Sequence, residues 1–188
     1  MKRCSWCNEK NEAYVRYHDE EWGVLNLEDP YLFEMLILES FQAGLSWECI
    51  LNKRKAFRQA FDHFDWRRIQ GYGEDKIESL CQDPGIVRNR LKIKAAITNA
   101  KVFEEIRQEK GSFRDYLLEF TGGKIFYETH QTHSKLSDAL SQDLKKRGMK
   151  FVGTTILYAY LQAIGIVNSH EEGCFLYVDP KNQSTRSH

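Results

Sequence analysis

One stretch near the start of the chain constrains the fold more than any other: D-P-Y-L-F-E-M-L-I-L-E-S-F-Q-A-G, Asp29 to Gly44. Aspartate before proline reads as a cap followed by proline at the first helical position. Glycine is a common stop just past a helix end. Leu32, Leu36 and Ala43 recur at helical spacing along one stripe. The stretch therefore predicts a helix that runs to Ala43 and faces a core. The same grammar repeats down the chain. Ser46 caps a segment carrying Ile50, Leu51, Phe57 and Phe61 at helical spacing. A short helix over Glu74–Gln82 should stop at Asp83-Pro84-Gly85. A long one is expected from about Val87 to Gln108, with Leu91, Ala95, Phe103 and Ile106 recurring. Helices over Ser112–Phe120, Ser137–Arg147 (ended by Gly148) and Thr154–Ile164 complete the set. Strand-period alternation is nearly absent, with weak strand character only at Ile125–Tyr127 in the loop from Thr121 to Lys135. The fold class is all-α.

At 188 residues the chain suits one domain. It has no repeat or linker, so residues 1–178 are expected to form that domain, with a polar, mobile tail over 179–188. The start, M-K-R-C-S-W-C-N-E-K, lacks the apolar core of a signal peptide. The longest apolar run, Phe151 to Val167, is interrupted by Gly153, Thr154, Thr155 and Gln162 and reads as a buried helix. A cytoplasmic protein with reduced cysteines and no membrane contact is expected. Lys and Arg together equal Asp and Glu, 27 against 27, which argues against a uniformly basic nucleic-acid binder. Two local basic clusters remain, Arg88-Arg90-Lys92-Lys94 and Lys145-Lys146-Arg147-Lys150. Taken singly, each reads as a solvated helix face.

Four features carry possible chemistry. First, N-S-H-E-E-G-C at Asn168–Cys174 sets His170 and Cys174 four residues apart, both good zinc ligands. Cys4, Cys7 and His18 are candidate partners, and spacing alone leaves Cys7 and His18 in competition. Cys49 and Cys81 lie in helices among apolar residues and read as core packing. His63, His130, His133 and His188 read as solvent-facing. Second, Glu39 shares the stripe of Leu32, Leu36 and Ala43, whereas Glu34 lies off it and reads as solvent-facing. A carboxylate facing a core is costly unless it is paired or used. Third, Trp6, Tyr14, Tyr17, Trp22 and Trp47 crowd the first part of the chain. They suit either a core or a stacking pocket for a flat ligand. Fourth, in K-K-R-G-M-K-F-V-G-T-T-I, Lys145–Ile156, a helix ends at glycine and another begins at Thr154. Its free amides, flanked by lysines, suit a phosphate.

Together Y-H-D-E-E-W-G (Tyr17–Gly23), L-F-E-M-L-I-L-E-S-F-Q-A-G-L-S-W (Leu32–Trp47), K-K-R-G-M-K-F-V-G-T-T-I, C-x-W at Cys4–Trp6 and the closing H-x-x-x-C resemble the DNA-3-methyladenine glycosylase I family. These enzymes serve bacterial alkylation repair, and the likeness is colinear from Cys4 to Cys174. The resemblance implies a helix-hairpin-helix glycosylase fold of two helical lobes with a base pocket between them. It implies one structural zinc on Cys4, His18, His170 and Cys174, tying the chain ends together, with Cys7 left out. It assigns Glu39, Tyr17, Trp47, Trp6, Tyr14 and Trp22 to the base pocket, with Glu39 the candidate for electrostatic assistance. The hairpin Phe151, Val152, Gly153, Thr154, Thr155, with Lys145, Lys146 and Lys150 beside it, would grip the DNA backbone. Gly44 and Leu45 would push into the duplex where the base leaves. The implied substrate is double-stranded DNA containing 3-methyladenine, and the enzyme a monomer that leaves an abasic site without cutting the strand. The catalytic aspartate of related helix-hairpin-helix enzymes has no counterpart in I-V-N-S-H, Ile166–His170, in keeping with this family. Ser40, Glu48, Cys49 and the Asn26–Asp29 segment depart from the family's pattern. The alternatives are a zinc-stabilised DNA-binding homologue without catalysis, which Glu39 and Trp47 argue against, and an enzyme for another alkylated purine.

Overall fold

A computed structural model describes residues 1–179. Most of the expected tail, residues 180–188, including His188, lies outside them. Helices make up 59% of the described residues, in nine α-helices and one short 3-10 turn. The α-helices are α1 (Glu12–Glu20), α2 (Asp29–Gln42), α3 (Trp47–Ala60), α4 (Trp66–Ile69), α5 (Glu74–Gln82), α6 (Arg90–Lys110), α7 (Phe113–Thr121), α8 (Lys135–Lys146) and α9 (Thr154–Ala163). Among the described residues no helix is long and apolar enough to cross a membrane.

α2 is the axis. Every residue from Leu32 to Phe41 is buried. It packs against α3, α6, α7 and α9, so it is enclosed on all sides, as a helix apolar around its whole circumference must be. Aromatic clusters fill the space around it: Phe33, Trp66, Phe103 and Phe113 on one flank, Phe41, Phe57 and Phe61 on another. The helix ends in a type II turn. Ala43 has φ −46° and ψ 115°, Gly44 has φ +79°, and the Leu45 amide donates to the Gln42 carbonyl at 2.7 Å. The third position of such a turn needs positive φ, which glycine takes without strain.

The all-α expectation holds but for one detail: Phe126–Tyr127 (β1) and Val167–Asn168 (β2) pair in parallel. Several local expectations need correction. Asp29 is the first residue of α2 and not its cap, which is Glu28. The Asp29 carboxylate instead accepts the Phe113 and Arg114 amides at the start of α7, and Arg107 donates to it. Glu34 is buried, not solvent-facing: Arg54 Nε donates to it at 2.6 Å and Arg58 Nε at 2.9 Å. A period-based reading assigns it to solvent only because it assumes that α2 has a wet side. Lys92 is buried, not a member of a solvated face, while Leu91 is 72% exposed. Cys81 packs half-buried against the core. Cys49 is half-buried in the first turn of α3, outside that core. The helix α1, capped by the Asn11 side chain, and the short α4 have no counterpart in the sequence reading.

The two chain ends meet. The Phe175 amide donates to the Lys2 carbonyl at 2.9 Å, and Arg3 donates to Asp19 in α1 through two nitrogens. Glu48, one of the atypical positions, accepts from the side-chain amides of Asn8 and Asn11. It thereby ties the N-terminal segment to α3.

Candidate base pocket and metal cluster

Helix α2 delivers Glu39 to a cavity of about 280 Å³. The wall includes all six of the pocket candidates: Trp6, Tyr14, Tyr17, Trp22, Glu39 and Trp47. Helix α1 brings Tyr14 and Tyr17, one turn apart on one face, and the first turn of α3 brings Trp47. The rings of Tyr17 and Trp47 lie 5.3 Å apart, tilted by 48°. Trp6 packs against Tyr14 at 5.4 Å and edge-on to Trp22 at 4.7 Å. Gln42, Ala159, Gln162, Ser169, Glu171 and His130 complete the lining. The sequence marks none of these six as pocket residues, although Gln42, Ser169 and Glu171 fall inside the motifs quoted above. His130 is exposed and takes a left-handed φ of +60° at the cavity rim.

The electrostatics of the cavity are unusual. Glu39 is 3% exposed, and its Oε2 has no hydrogen-bond partner among the described residues. Burial pushes its pKa up to about 8, because a carboxylate loses hydration that nothing replaces. Trp47 Nε1 is likewise buried without a partner. An acceptor and a donor are thus left open in one cavity walled by rings. Burial, and then the neighbouring Glu39, raise the Tyr17 phenol well above its ordinary range.

Behind Trp6 and Trp22 lies a second polar group. The ligand atoms of Cys4, His18, His170 and Cys174 all fall within 4.8 Å of one another, and all four residues are buried. Cys4 Sγ is 3.4 Å from His170 Nδ1, and Cys174 Sγ is 3.6 Å from His18 Nε2 and 3.7 Å from His170 Nδ1. Each outer ring nitrogen is occupied. His18 Nδ1 lies 2.7 Å from Asp19, itself held by Arg3, and His170 Nε2 lies 3.2 Å from the Trp22 carbonyl. These contacts turn the remaining nitrogens inward. The Glu171 amide donates to Cys4 Sγ and the Leu176 amide to Cys174 Sγ. Gly23 closes the back, where an added Cβ would sit 3.2 Å from His170 Nε2. Cys7 lies outside the group, with its thiol toward the Tyr14 carbonyl. Burial raises the Cys4 thiol to about 12 and lowers His170 to about 4. A divalent cation would supply the charge that ionises such thiols.

The remaining candidates form two turns. Leu45 is 40% exposed at the α2–α3 turn beside Gly44. Lys145, Lys146, Lys150 and Thr155 are exposed, whereas Val152 is buried and donates no side chain to the surface. Gly153 is the N-cap of α9, and no side chain caps that helix. Thr154 Oγ1 donates to Asp138.

Fold and site together define a class: a helical protein whose walled cavity suits a flat, cationic aromatic ligand. A sequence model described as methyladenine glycosylase matches residues 6–177. The chain belongs to that family. It is 43% identical to DNA-3-methyladenine glycosylase 1 of Escherichia coli, over 94% of this chain and 97% of the relative. It is 36% identical to the Haemophilus influenzae DNA-3-methyladenine glycosylase, over 92% and 96%. Its fold matches the crystal structure of a 3-methyladenine DNA glycosylase I with a TM-score of 0.90 at 43% identity, covering 94% of this chain and all of the other.

Proposed function

We propose that this protein excises 3-methyladenine from double-stranded DNA by hydrolysing its N-glycosidic bond, leaving an abasic site and an uncut strand. The observation that carries the reading is the unpaired, buried Glu39 carboxyl inside a cavity walled by Trp47, Tyr17, Trp6, Tyr14 and Trp22. Methylation at N3 puts positive charge on adenine and makes it a ready leaving group. The protein must therefore supply extrusion and selection more than acid catalysis. Burial favours the protonated form of Glu39, raising its pKa to about 8. A cationic base carrying an amino donor favours the ionised form, and Glu39 then pairs with it. Trp47 stacks on the base, and the Tyr17 phenol adds a polar contact. Neutral adenine brings no charge, so the cost of ionising Glu39 stays uncompensated. As the C1′–N9 bond breaks, its electron pair neutralises the base, and water adds at C1′ and loses one proton to solvent.

On the same reading α8, the turn over 147–153 and α9 form the helix-hairpin-helix element, with the open amides of α9 on a phosphate and Lys145, Lys146 and Lys150 beside it. Residues 1–178 act as one domain and as a monomer in the cytoplasm. The four-residue cluster would hold a structural zinc. Zinc bonds of about 2.3 Å to sulfur and 2.0 Å to nitrogen, at tetrahedral angles, hold S and N about 3.5 Å apart. The S···N distances of 3.4, 3.6 and 3.7 Å suit that geometry. With four protein ligands the ion would have no open position, so it would brace the chain ends and leave the chemistry to the cavity.

The test is to incubate the protein with methylated duplex DNA and identify released bases by chromatography. The expected result is 3-methyladenine, with strand breaks only after alkali. Absence of that base would overturn the reading, and release of a different methylated purine alone would move the assignment to that base.

A further inference from the structure

Helix α6 buries two polar side chains on one face, Lys92 and Asn99. Seven residues separate them, close to two turns and about 10 Å. Each is spent on the main chain of a different turn. Lys92 Nζ donates to the Phe41 carbonyl at 2.8 Å and the Ala43 carbonyl at 2.5 Å, closing the end of α2 just before Gly44 and Leu45. The same ammonium lies 6.0 Å from the centroid of the Phe151 ring. Asn99, fully buried, takes both backbone groups of Lys150: its Nδ2 donates to the carbonyl at 2.9 Å, and its Oδ1 accepts the amide at 2.8 Å. Phe151 follows with a left-handed φ of +53°. A bulky residue rarely holds that conformation unless its neighbours impose it. Ser141, which donates to the Val152 carbonyl at 2.7 Å, fixes the other side.

Neither clamp is needed to form the helix it touches. α2 is held by packing along its whole length, and α8 and α9 pack on each other. Lys92 has no carboxylate among its hydrogen-bond partners, only carbonyls and a ring face, and burial lowers its pKa. Such a lysine is expensive as a packing element. What it and Asn99 add is a fixed separation between two turns that belong to different parts of the fold.

We propose that Lys92 and Asn99 are positioning residues for base extrusion, with α6 as the spacer that holds the Gly44–Leu45 turn in register with the Lys150–Gly153 hairpin. The inference rests on the reading of those turns as the elements that enter and grip the DNA. If one turn holds the phosphates while the other occupies the gap left by the base, their separation must match the duplex. A loose spacer would let both touch DNA without acting together.

The test uses Lys92→Met, Asn99→Asp and Lys92→Arg in the full chain. Asn99→Asp keeps the acceptor for the Lys150 amide and sets a carboxylate oxygen in place of the donor, against the Lys150 carbonyl, so read above the carboxyl's titration it tests the second clamp if Lys92→Met does not fold. Three quantities are read: thermal midpoint, affinity for free 3-methyladenine by tryptophan fluorescence, and kcat and KM for excision from duplex DNA. Lys92→Met and Asn99→Asp should leave free-base affinity within about twofold while lowering kcat/KM on duplex roughly 10- to 100-fold. Lys92→Arg should recover most of the loss. The double variant should fall little further than the worse single one, since either change releases the same register. Unchanged excision, or a loss of base affinity in step with excision, would overturn the proposal. Failure of the unmodified protein to excise the base would instead overturn the functional reading beneath it.

Discussion

The Cys4–His18–His170–Cys174 cluster and the Glu39 cavity share two walls, Trp6 and Trp22, and treat buried polar atoms in opposite ways. In the cluster every outer nitrogen is paired and both sulfurs accept amides. In the cavity a carboxylate oxygen and an indole N–H have no partner among the described residues. Burial alone does not separate the two cases. Glu34, on the same helix as Glu39, is also buried, yet it is paired by Arg54 and Arg58. Satisfied polar groups hold a fold together, whereas a buried group left open in a cavity is held ready for something that enters.

Changes on the two sides should therefore have opposite signs. The largest effect is expected at the cluster. Removing one ligand in His170→Ala, or stripping metal with a strong chelator, should cost roughly 5 kcal/mol or more. It should show as a fall in thermal midpoint together with loss of bound zinc. Undiminished zinc in that variant would break the ligand set. Next comes the pair on α2. Glu34→Gln leaves the buried Arg54 guanidinium with Glu21 as its remaining carboxylate partner and should destabilise by about 1 to 3 kcal/mol. Catalysis per folded molecule should be unchanged.

Glu39→Gln should do the reverse. The Glu39 carboxyl titrates near 8 in the folded state against 4.5 ordinarily. Between those values the folded protein keeps a proton that the unfolded chain has lost. The Glu39 contribution to stability is therefore fully present below about pH 4.5 and is lost as pH rises through about 8. The glutamine variant escapes that fall. It should be more stable than the parent by on the order of 2 to 4 kcal/mol at pH 9, with little gain at pH 4, in denaturant unfolding. Its excision rate should drop roughly 10- to 100-fold. The smallest effect is expected from Trp47→Ala, which should weaken binding of the free base by about 1 to 3 kcal/mol while Trp47→Phe retains most of it. Equal binding by the alanine variant would remove Trp47 from the stacking role.

Much of this was legible in the sequence, and the reasons for the rest are physical. Helices with a clear signal at one end, such as α3 with its Ser46 cap and α5 with its Asp83-Pro84-Gly85 stop, are placed closely by the sequence. Helix α1 reads as polar, E-A-Y-V-R-Y-H-D-E, because it packs through two tyrosines and a histidine. The β1–β2 pair is two residues per strand and joins segments forty residues apart in the chain, beyond any local pattern. Glu39 announced itself as a charge on an apolar stripe. Glu34 and Lys92 were assigned to solvent because their partners, Arg54 and the end of α2, are distant in sequence. The H-E-E-G-C spacing posed the metal question but could not choose between Cys7 and His18. The resemblance named His18, and the fold brings His18 to the group while leaving Cys7 outside it.

The contrast between the closed cluster and the open cavity is tested most directly by titrating Glu39 itself. Carbon-13 NMR of protein labelled in glutamate carboxyls, assigned with Glu39→Gln, would follow it with and without 3-methyladenine. The account predicts a midpoint near 8 in the free protein, and a clear fall when the base binds, because the base supplies the missing donor and charge. A free-protein midpoint near 4.5, or one that the base does not move, would contradict it.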